Sequence, residues 1–398
     1  MLRVMHKTSA RKTAASIDFQ KMDYWLLGAI CSLIMLGIIM VTSASIVIAD
    51  RKLGQPFYYT IHQSIYALLG IVAALIVYTI PLKFWFKIAF VILSACILAL
   101  VLVLIPGIGK EVNGSVRWIN LGFATVQFSE FVKLGMIIYF SSYIVRHRDA
   151  LTQNISAFIK PLLLLGIICS LLILEPDFGT SVVILATTFA LLFLSGVPLW
   201  QFLILLTIVA GILGLVAVAA PYRIERLTSF MDPWSDQFNS GYQLTQALIA
   251  FGRGEWLGVG LGSSVQKLFY LPEAHTDFVF AVLAEELGLV GAVSTLALYV
   301  LLVYRGIIIG LQAEQREDRF AAYICYGISF WVGIQTLVNV GVNTGMLPTK
   351  GLTLPFISYG GNSLFVICIA MGLLFRADFE NRLALRGSHF SGRSYVTS

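Results

Sequence analysis

Long apolar runs recur along the chain, near residues 24–48, 62–80, 88–105, 128–145, 159–174, 178–195, 199–220, 277–304, 320–345 and 359–375. Short polar stretches separate them and carry most of the charge. About 20 apolar residues in a helix cross the roughly 30 Å hydrocarbon core of a bilayer. The pattern therefore predicts ten transmembrane helices and an all-α integral membrane protein. The two runs that meet at Glu175-Pro176-Asp177 read either as one broken helix or as two short ones. Residues 1–22 are polar and basic. The run after them is too long for a signal-peptide core and has no small-residue cleavage site, so an uncleaved first span is expected.

Charge adds an orientation. With the N-terminus inside, the inner segments hold 17 Lys and Arg against nine outside, four of the nine in the long 221–276 loop. Short loops are the reliable ones for the positive-inside rule, and without 221–276 the balance is 17 against five. Both termini are thus expected in the cytoplasm, with 221–276 as a large outward loop between spans seven and eight. The expected organisation is a cytoplasmic tail at 1–22, a membrane body at 23–376 and a second tail at 377–398. Composition agrees: 58% of the 398 residues are hydrophobic and 12% charged, with net charge +6, against about 25% charged in a soluble domain. That excludes a soluble enzyme, a disordered chain and a nucleic-acid-binding domain. Cys31, Cys96, Cys169, Cys325 and Cys368 all fall in apolar runs without a CxxC and read as small buried hydrophobes.

In so apolar a chain, polar residues at span ends carry the information, because a charge at mid-bilayer costs about 2.5–3.5 kcal/mol. Glu130 and Lys133 share a helix face at i and i+3, as a self-neutralising pair or as a cationic lining for an anionic ligand. Glu175-Pro176-Asp177 breaks a helix, as an outward hairpin or as the lining of a cavity. Asp277 stands where the long loop becomes span eight, as a helix N-cap or as a reactive carboxylate; Glu285 and Glu286 lie deeper in the same span. Residues 348–363, with two prolines, three glycines, Lys350 and Ser358, form a shaped outer loop. Weaker signals are the glycine-rich Gly258–Ser264, which resembles a phosphate loop without its βαβ unit, and Asn113-Gly-Ser115. His62 and His147 lack metal-ligand spacing.

Acids, cations and aromatics gathered at the outer side suit an amphiphilic, anionic, membrane-borne substrate. Three classes compete: a glycosyltransferase using a lipid-diphosphate sugar, a transporter or lipid flippase, and a structural partner of other membrane proteins. A transferase needs a base for the attacking hydroxyl, for which Asp277 is the candidate. It needs cations for the departing diphosphate, for which Arg117, Lys133, Arg253, His275 and Lys350 are candidates. The sequence leaves a metal requirement open, with Mg²⁺ accompanying the lipid diphosphate as the candidate cofactor. A flippase would distribute ionisable groups across the bilayer; here only Glu285 and Glu286 lie deep.

Four motifs in order, Asn113-Gly-Ser-Val-Arg-Trp-Ile119, Pro176-Asp-Phe-Gly-Thr180, Ala274–Gly288 and the PTKGLTLPFISYGG core of Pro348–Ser363, resemble the SEDS family (shape, elongation, division and sporulation). Asn362 departs from the small hydroxyl residue common there. The resemblance implies a ten-span peptidoglycan glycosyltransferase that polymerises lipid II outside the bacterial cytoplasmic membrane, beside a class B penicillin-binding protein. It implies Asp277 as the essential acid, and Arg117, Trp118, Glu130, Lys133 and the 348–363 loop, with Ser358, as the substrate region. The basic N-tail and the Gly-Ser-Val-Arg-Trp and Pro-Glu-Ala-His-Thr-Asp sequences favour the division-type member, working with other division proteins at the septum, over the elongation type.

Overall fold

The computed structural model describes residues 22–112, 115–120, 122, 125–198, 200–204, 207, 211, 230, 232–239, 241–348 and 351–392. The N-terminal tail, most of the expected seventh span, the start of the 221–276 loop, Asn113 and Lys350 lie outside them.

The described chain forms α1 (Tyr24–Leu53), α2 (Tyr58–Thr79), α3 (Leu82–Leu104), a three-stranded antiparallel sheet β1 (Gly109–Val112), β2 (Ser115–Asn120) and β3 (Thr125–Gln127), then α4 (Phe128–Arg146), α5 (Arg148–Gln153), α6 (Ile155–Leu174), α7 (Phe178–Leu194), α8 (Tyr242–Gly254), α9 (Val279–Glu314), α10 (Arg319–Asn343) and α11 (Gly361–Gly392). Among the described residues, α1, α2, α3, α4, α6, α9, α10 and α11 are long and apolar enough to cross a membrane, and α7 is a shorter apolar helix. The protein is a multi-pass membrane protein. The sheet was not foreseen: its strands are three to six residues long and sit between two far stronger helical signals.

α4, α10 and α11 are the most enclosed helices, whereas α2 and α3 leave most of their surface outward for lipid. Backbones approach closely through small residues: a Cβ at Gly372 would lie 2.6 Å from the Ala74 carbonyl oxygen, and one at Gly70 would lie 2.9 Å from Cys368 Sγ. In a membrane, where lipid is as apolar as leucine, such approach supplies much of the helix–helix attraction. Four cysteines are buried as expected, but Cys31 is exposed on α1, facing outward rather than into the core.

Span eight is broken. Gly288 has φ 68° and ψ −168° inside α9, and a Cβ there would meet Gly258 N at 2.4 Å. The break frees main-chain groups, and the segment after α8 satisfies them. Val259 N donates to Glu285 O (3.0 Å), Gly260 N to Glu286 O (3.1 Å) and Leu289 N to Glu255 O (2.9 Å). Irregular backbone near a membrane is tolerated where protein supplies these partners. The glycine-rich Gly258–Ser264 stretch is therefore a plug docked on α9, not a phosphate cradle.

The side chains of the break are matched too. Glu285 accepts from Ser264 Oγ (2.5 Å), Val265 N (3.1 Å) and Arg253 (3.3 Å). Glu286 accepts from Lys267 Nζ and Ser43 Oγ, each at 2.7 Å. The two deep acids thus lock the segment after α8 to α9 and α1. Removing one partner of such a buried pair leaves a bare charge, at a cost of about 3–5 kcal/mol. Lys267→Met or Glu286→Leu alone should lower the melting temperature of the detergent-solubilised protein sharply, and the double substitution should recover much of the loss. Strictly additive losses would show that the pair is not coupled.

Candidate functional site

One end of the bundle gathers the β2 strand, the α6–α7 turn, the approach to α9 and the 351–360 segment. Asp277 lies two residues before α9. Its main-chain carbonyl accepts from Nδ2 of both Asn339 and Asn343, each at 3.0 Å. Asn339 Nδ2 also donates to Leu352 O (2.6 Å), and Asn343 Oδ1 accepts from Ala281 N (3.2 Å). Both amides are buried. They sit at i and i+4 on α10, so one rigid helix face fixes Asp277 and the 351–352 backbone together. Gly351 closes against the acid: a Cβ there would lie 3.0 Å from Asp277 Oδ2.

The Asp277 side chain is not a helix cap. α9 is capped at Phe278, and no side chain caps it. No hydrogen bond or ion pair reaches the Asp277 carboxyl among the described residues. Burial raises its pKa from 3.8 to about 7; Glu273 and Asp177 push the same way and Arg117 opposes them. The carboxyl is half-buried, so it keeps an opening.

Arg117, on β2, donates through Nε to Glu175 O (3.0 Å) and through an Nη to Pro176 O (2.5 Å). It thereby clamps the α6–α7 turn beside Asp277. A guanidinium has five donors, so two carbonyls leave others for an anion. Trp118 follows on β2, opposite Lys110 of β1 and Gln127 of β3, and the β1–β2 register skips Arg117, which marks a bulge there. The turn separates two helices, α6 and α7. Asp177 caps α7 by accepting from Thr180 N at 3.4 Å. Glu175 is fully buried with both carboxyl oxygens unpartnered, and burial, reinforced by Asp177, raises its pKa to about 8 against the opposing charge of Arg117.

The remaining candidates are not all brought to Asp277. Lys133 is 2% exposed. Its ammonium donates to Glu130 (2.9 Å) and Gln335 Oε1 (3.0 Å) and lies 5.2 Å from the Trp331 ring. The pair is self-neutralising in the interior rather than an open cationic lining, but Gln335 Nε2 donates onward to Thr353 O (2.8 Å) and so links it to the loop. Arg253 faces Glu285 at the α9 break. The His275 ring packs on Tyr59 (4.6 Å) and Tyr359 (5.8 Å). Burial lowers its pKa from the usual 6.5, which disfavours the charged form that would meet a diphosphate. Ser358 is buried, its hydroxyl accepting from Leu354 N (2.7 Å), which makes it a turn lock. Lys350 lies outside the described residues.

Sequence reasoning passed over Gln335, Asn339 and Asn343. Their signal was legible: three carboxamides at four-residue spacing within one apolar span, all on one face.

The sequence model of the cell cycle protein family that takes in FtsW, RodA and SpoVE matches residues 24–383, and the chain belongs to that family. A relative from Coxiella burnetii, named probable peptidoglycan glycosyltransferase FtsW, is 54% identical over 90% of this chain and 96% of its own length. Another of that name, from Legionella pneumophila, is 53% identical over 90% and 91%. Among solved structures, a chain from work on the structural coordination of polymerization and crosslinking by a peptidoglycan synthase complex superposes with a TM-score of 0.74 at 29% identity, covering 90% of this chain and 98% of that one. The rod shape determining protein RodA of Thermus thermophilus gives 0.66 at 27%, covering 90% and 97%.

Glu175 offers a direct check on the site's electrostatics. Its carboxyl ionises near 4.5 in the unfolded chain and near 8 in the folded one, so the folded state holds the extra proton and loses stability as pH rises between these values. The wild type should therefore melt progressively lower than Glu175→Gln as pH is raised from 5 to 8. Parallel melting curves across that range would rule out the buried, protonated acid.

Proposed function

We propose that this chain is a peptidoglycan glycosyltransferase of the division type, which polymerises lipid II on the outer side of the bacterial cytoplasmic membrane at the septum. The name FtsW carried by relatives above 50% identity supports the activity and favours division over elongation. The observation that carries the chemistry is Asp277: a carboxyl at the mouth of a span, with no partner among the described residues, and with its pKa raised to about 7. A general base works best with a pKa near the operating pH.

In this reading the Asp277 carboxylate takes the proton from the sugar 4-hydroxyl of an acceptor lipid II. The oxygen attacks the anomeric carbon of the lipid-linked glycan as the bond to the undecaprenyl diphosphate breaks. The diphosphate carries away the electron pair without needing a proton, so a single carboxylate serves, and attack opposite the leaving group inverts the anomeric centre. Arg117, held to the α6–α7 turn with donors to spare, is the described cation best placed for the diphosphate. Lys350, which precedes Gly351 in sequence, and Trp118 remain proposed substrate contacts. Lys133 reaches substrate only if it leaves Glu130 and Gln335, so its role in this structure is to tie α4 to α10 and the loop.

Among the described residues no three His, Cys, Asp or Glu side chains are grouped to hold a metal ion. Mg²⁺ is commonly held by one or two carboxylates together with substrate phosphates and water, so an ion carried in with the lipid diphosphate would need no such group, and the steps above use none. The flippase alternative is weakened by Glu285 and Glu286, which are saturated by loop contacts rather than lining a path through the bilayer. A class B penicillin-binding protein is the proposed partner, supported by the likeness to a chain of a synthase complex that couples polymerization to crosslinking.

The test is polymerisation of lipid II by the purified full-length protein with its transpeptidase partner. Asp277→Asn is expected to lose at least about 10²-fold in rate. It should melt no lower than the wild type, since the carboxyl it replaces makes no bond among the described residues. Full polymerisation by that variant would overturn the base assignment. Passage of labelled lipid II across the bilayer with no glycan formed would overturn the transferase reading itself.

A further inference from the structure

At the end of the bundle away from Asp277, the start of α3, the end of α4 and the α9–α10 turn enclose a cleft of about 620 Å³. Three cations line it: Lys83, Arg316 and Arg319. Four other basic groups at this end are matched. Arg305 pairs with Asp23, Arg376 with Glu380 (2.7 Å) and Arg382 with Asp378 (2.9 Å), while Arg146 donates to Phe86 O (2.7 Å). The three in the cleft have no acid within ion-pair distance among the described residues.

Two acids also line the cleft, and neither neutralises these cations by contact. Asp318 accepts from Ala321 N (3.2 Å) as the N-cap of α10. Glu317 is exposed at a turn residue with φ 63°. Arg316 is the telling group. Its Nη1 donates to Glu380 O (3.3 Å), while its Nη2 is buried with no acceptor. A desolvated guanidinium N–H without an acceptor is costly, and an oxyanion is what it fits.

The cleft is also amphiphilic. Leu82, Phe86, Val145 and Phe320 form its apolar side, and the outer face of α3 next to it exposes Phe84 and Phe90. A soluble phosphate has no use for such a wall, whereas acyl chains do. We propose that this cleft binds the phosphate headgroup of an anionic phospholipid from the leaflet opposite Asp277, with Lys83, Arg316 and Arg319 on the phosphate and the chains along α3. With the orientation expected from the loops, that is the cytoplasmic leaflet, whose anionic lipids are drawn to basic pockets between helices.

The test uses delipidated full-length protein in a non-ionic detergent, titrated with phosphatidylglycerol, phosphatidylcholine or inorganic phosphate, and read by native mass spectrometry and melting temperature. Phosphatidylglycerol should be retained at least fivefold more tightly than phosphatidylcholine and should raise the melting temperature, with the advantage shrinking as salt is added. The Lys83→Gln/Arg319→Gln variant should lose the preference. Lys160→Gln, which removes an exposed lysine early in α6, should keep it. Should the double variant fold poorly, Lys83→Gln alone, at an exposed position, should still weaken retention severalfold. Equal retention of the two lipids by the wild type, or an unchanged preference in a folded Lys83 variant, would overturn the proposal. A melting rise with inorganic phosphate equal to that with phosphatidylglycerol would overturn the lipid assignment in favour of a soluble phosphate.

Discussion

A charge withdrawn from water must meet a counter-charge or be neutralised by gaining or losing a proton, and the architecture of this protein follows from how its few charges obey that constraint. Lys133 is neutralised by Glu130 inside the bundle, and Lys267 by Glu286 at the broken span. Arg305 with Asp23 joins α9 to the start of α1. The Lys267–Glu286 and Arg305–Asp23 pairs bridge elements that the apolar pattern alone would leave free to slide, and Lys133 reaches α10 through Gln335, since lipid offers helices no hydrophobic reason to prefer one another. The glycine break at Gly288 belongs to the same scheme: it exposes carbonyls that the loop after α8 needs, and the two glutamates beside it bind that loop's side chains and amides.

Where the constraint is met by proton uptake instead of pairing, chemistry becomes available. Asp277 and Glu175 have carboxyl groups without partners among the described residues, close enough to Arg117 for its charge to act on both. They differ in access. Glu175 is sealed, so its raised pKa makes it a neutral filler of the turn that Arg117 grips. Asp277 keeps an opening, and its backbone is pinned by two asparagines on a rigid helix. A base needs this combination of fixed backbone and unsatisfied carboxyl, because a group already hydrogen-bonded would have to be released before it could accept a proton.

The membrane class and most spans were legible because 20-residue apolar runs have few alternative readings, and Asp277 stood out because a capping role could not account for the acids deeper in its span. The β1–β3 sheet was not legible, being short and flanked by stronger signals. The break at Gly288 was hidden because one glycine in a long apolar run looks like any other until Gly258 packs against it. Charge state also escaped the sequence. Lys133, His275 and Ser358 have the right chemistry for a diphosphate site, yet pairing, burial and a turn hydrogen bond commit them elsewhere. Conversely, Gln335, Asn339 and Asn343 carry no charge and drew no notice, although their spacing marks one polar face. The unpaired cations at the opposite end were counted only as orientation signals; three-dimensional proximity separates them from their paired neighbours.

The most direct test of this account is the pH dependence of kcat/KM for polymerisation, measured at subsaturating lipid II. If Asp277 is the base in its buried setting, the rate should climb about tenfold per pH unit below about 7 and level off above it. The Glu175→Gln variant should show the same inflection. A rate flat from pH 5 to 8, as an ordinary exposed carboxylate would give, would contradict it.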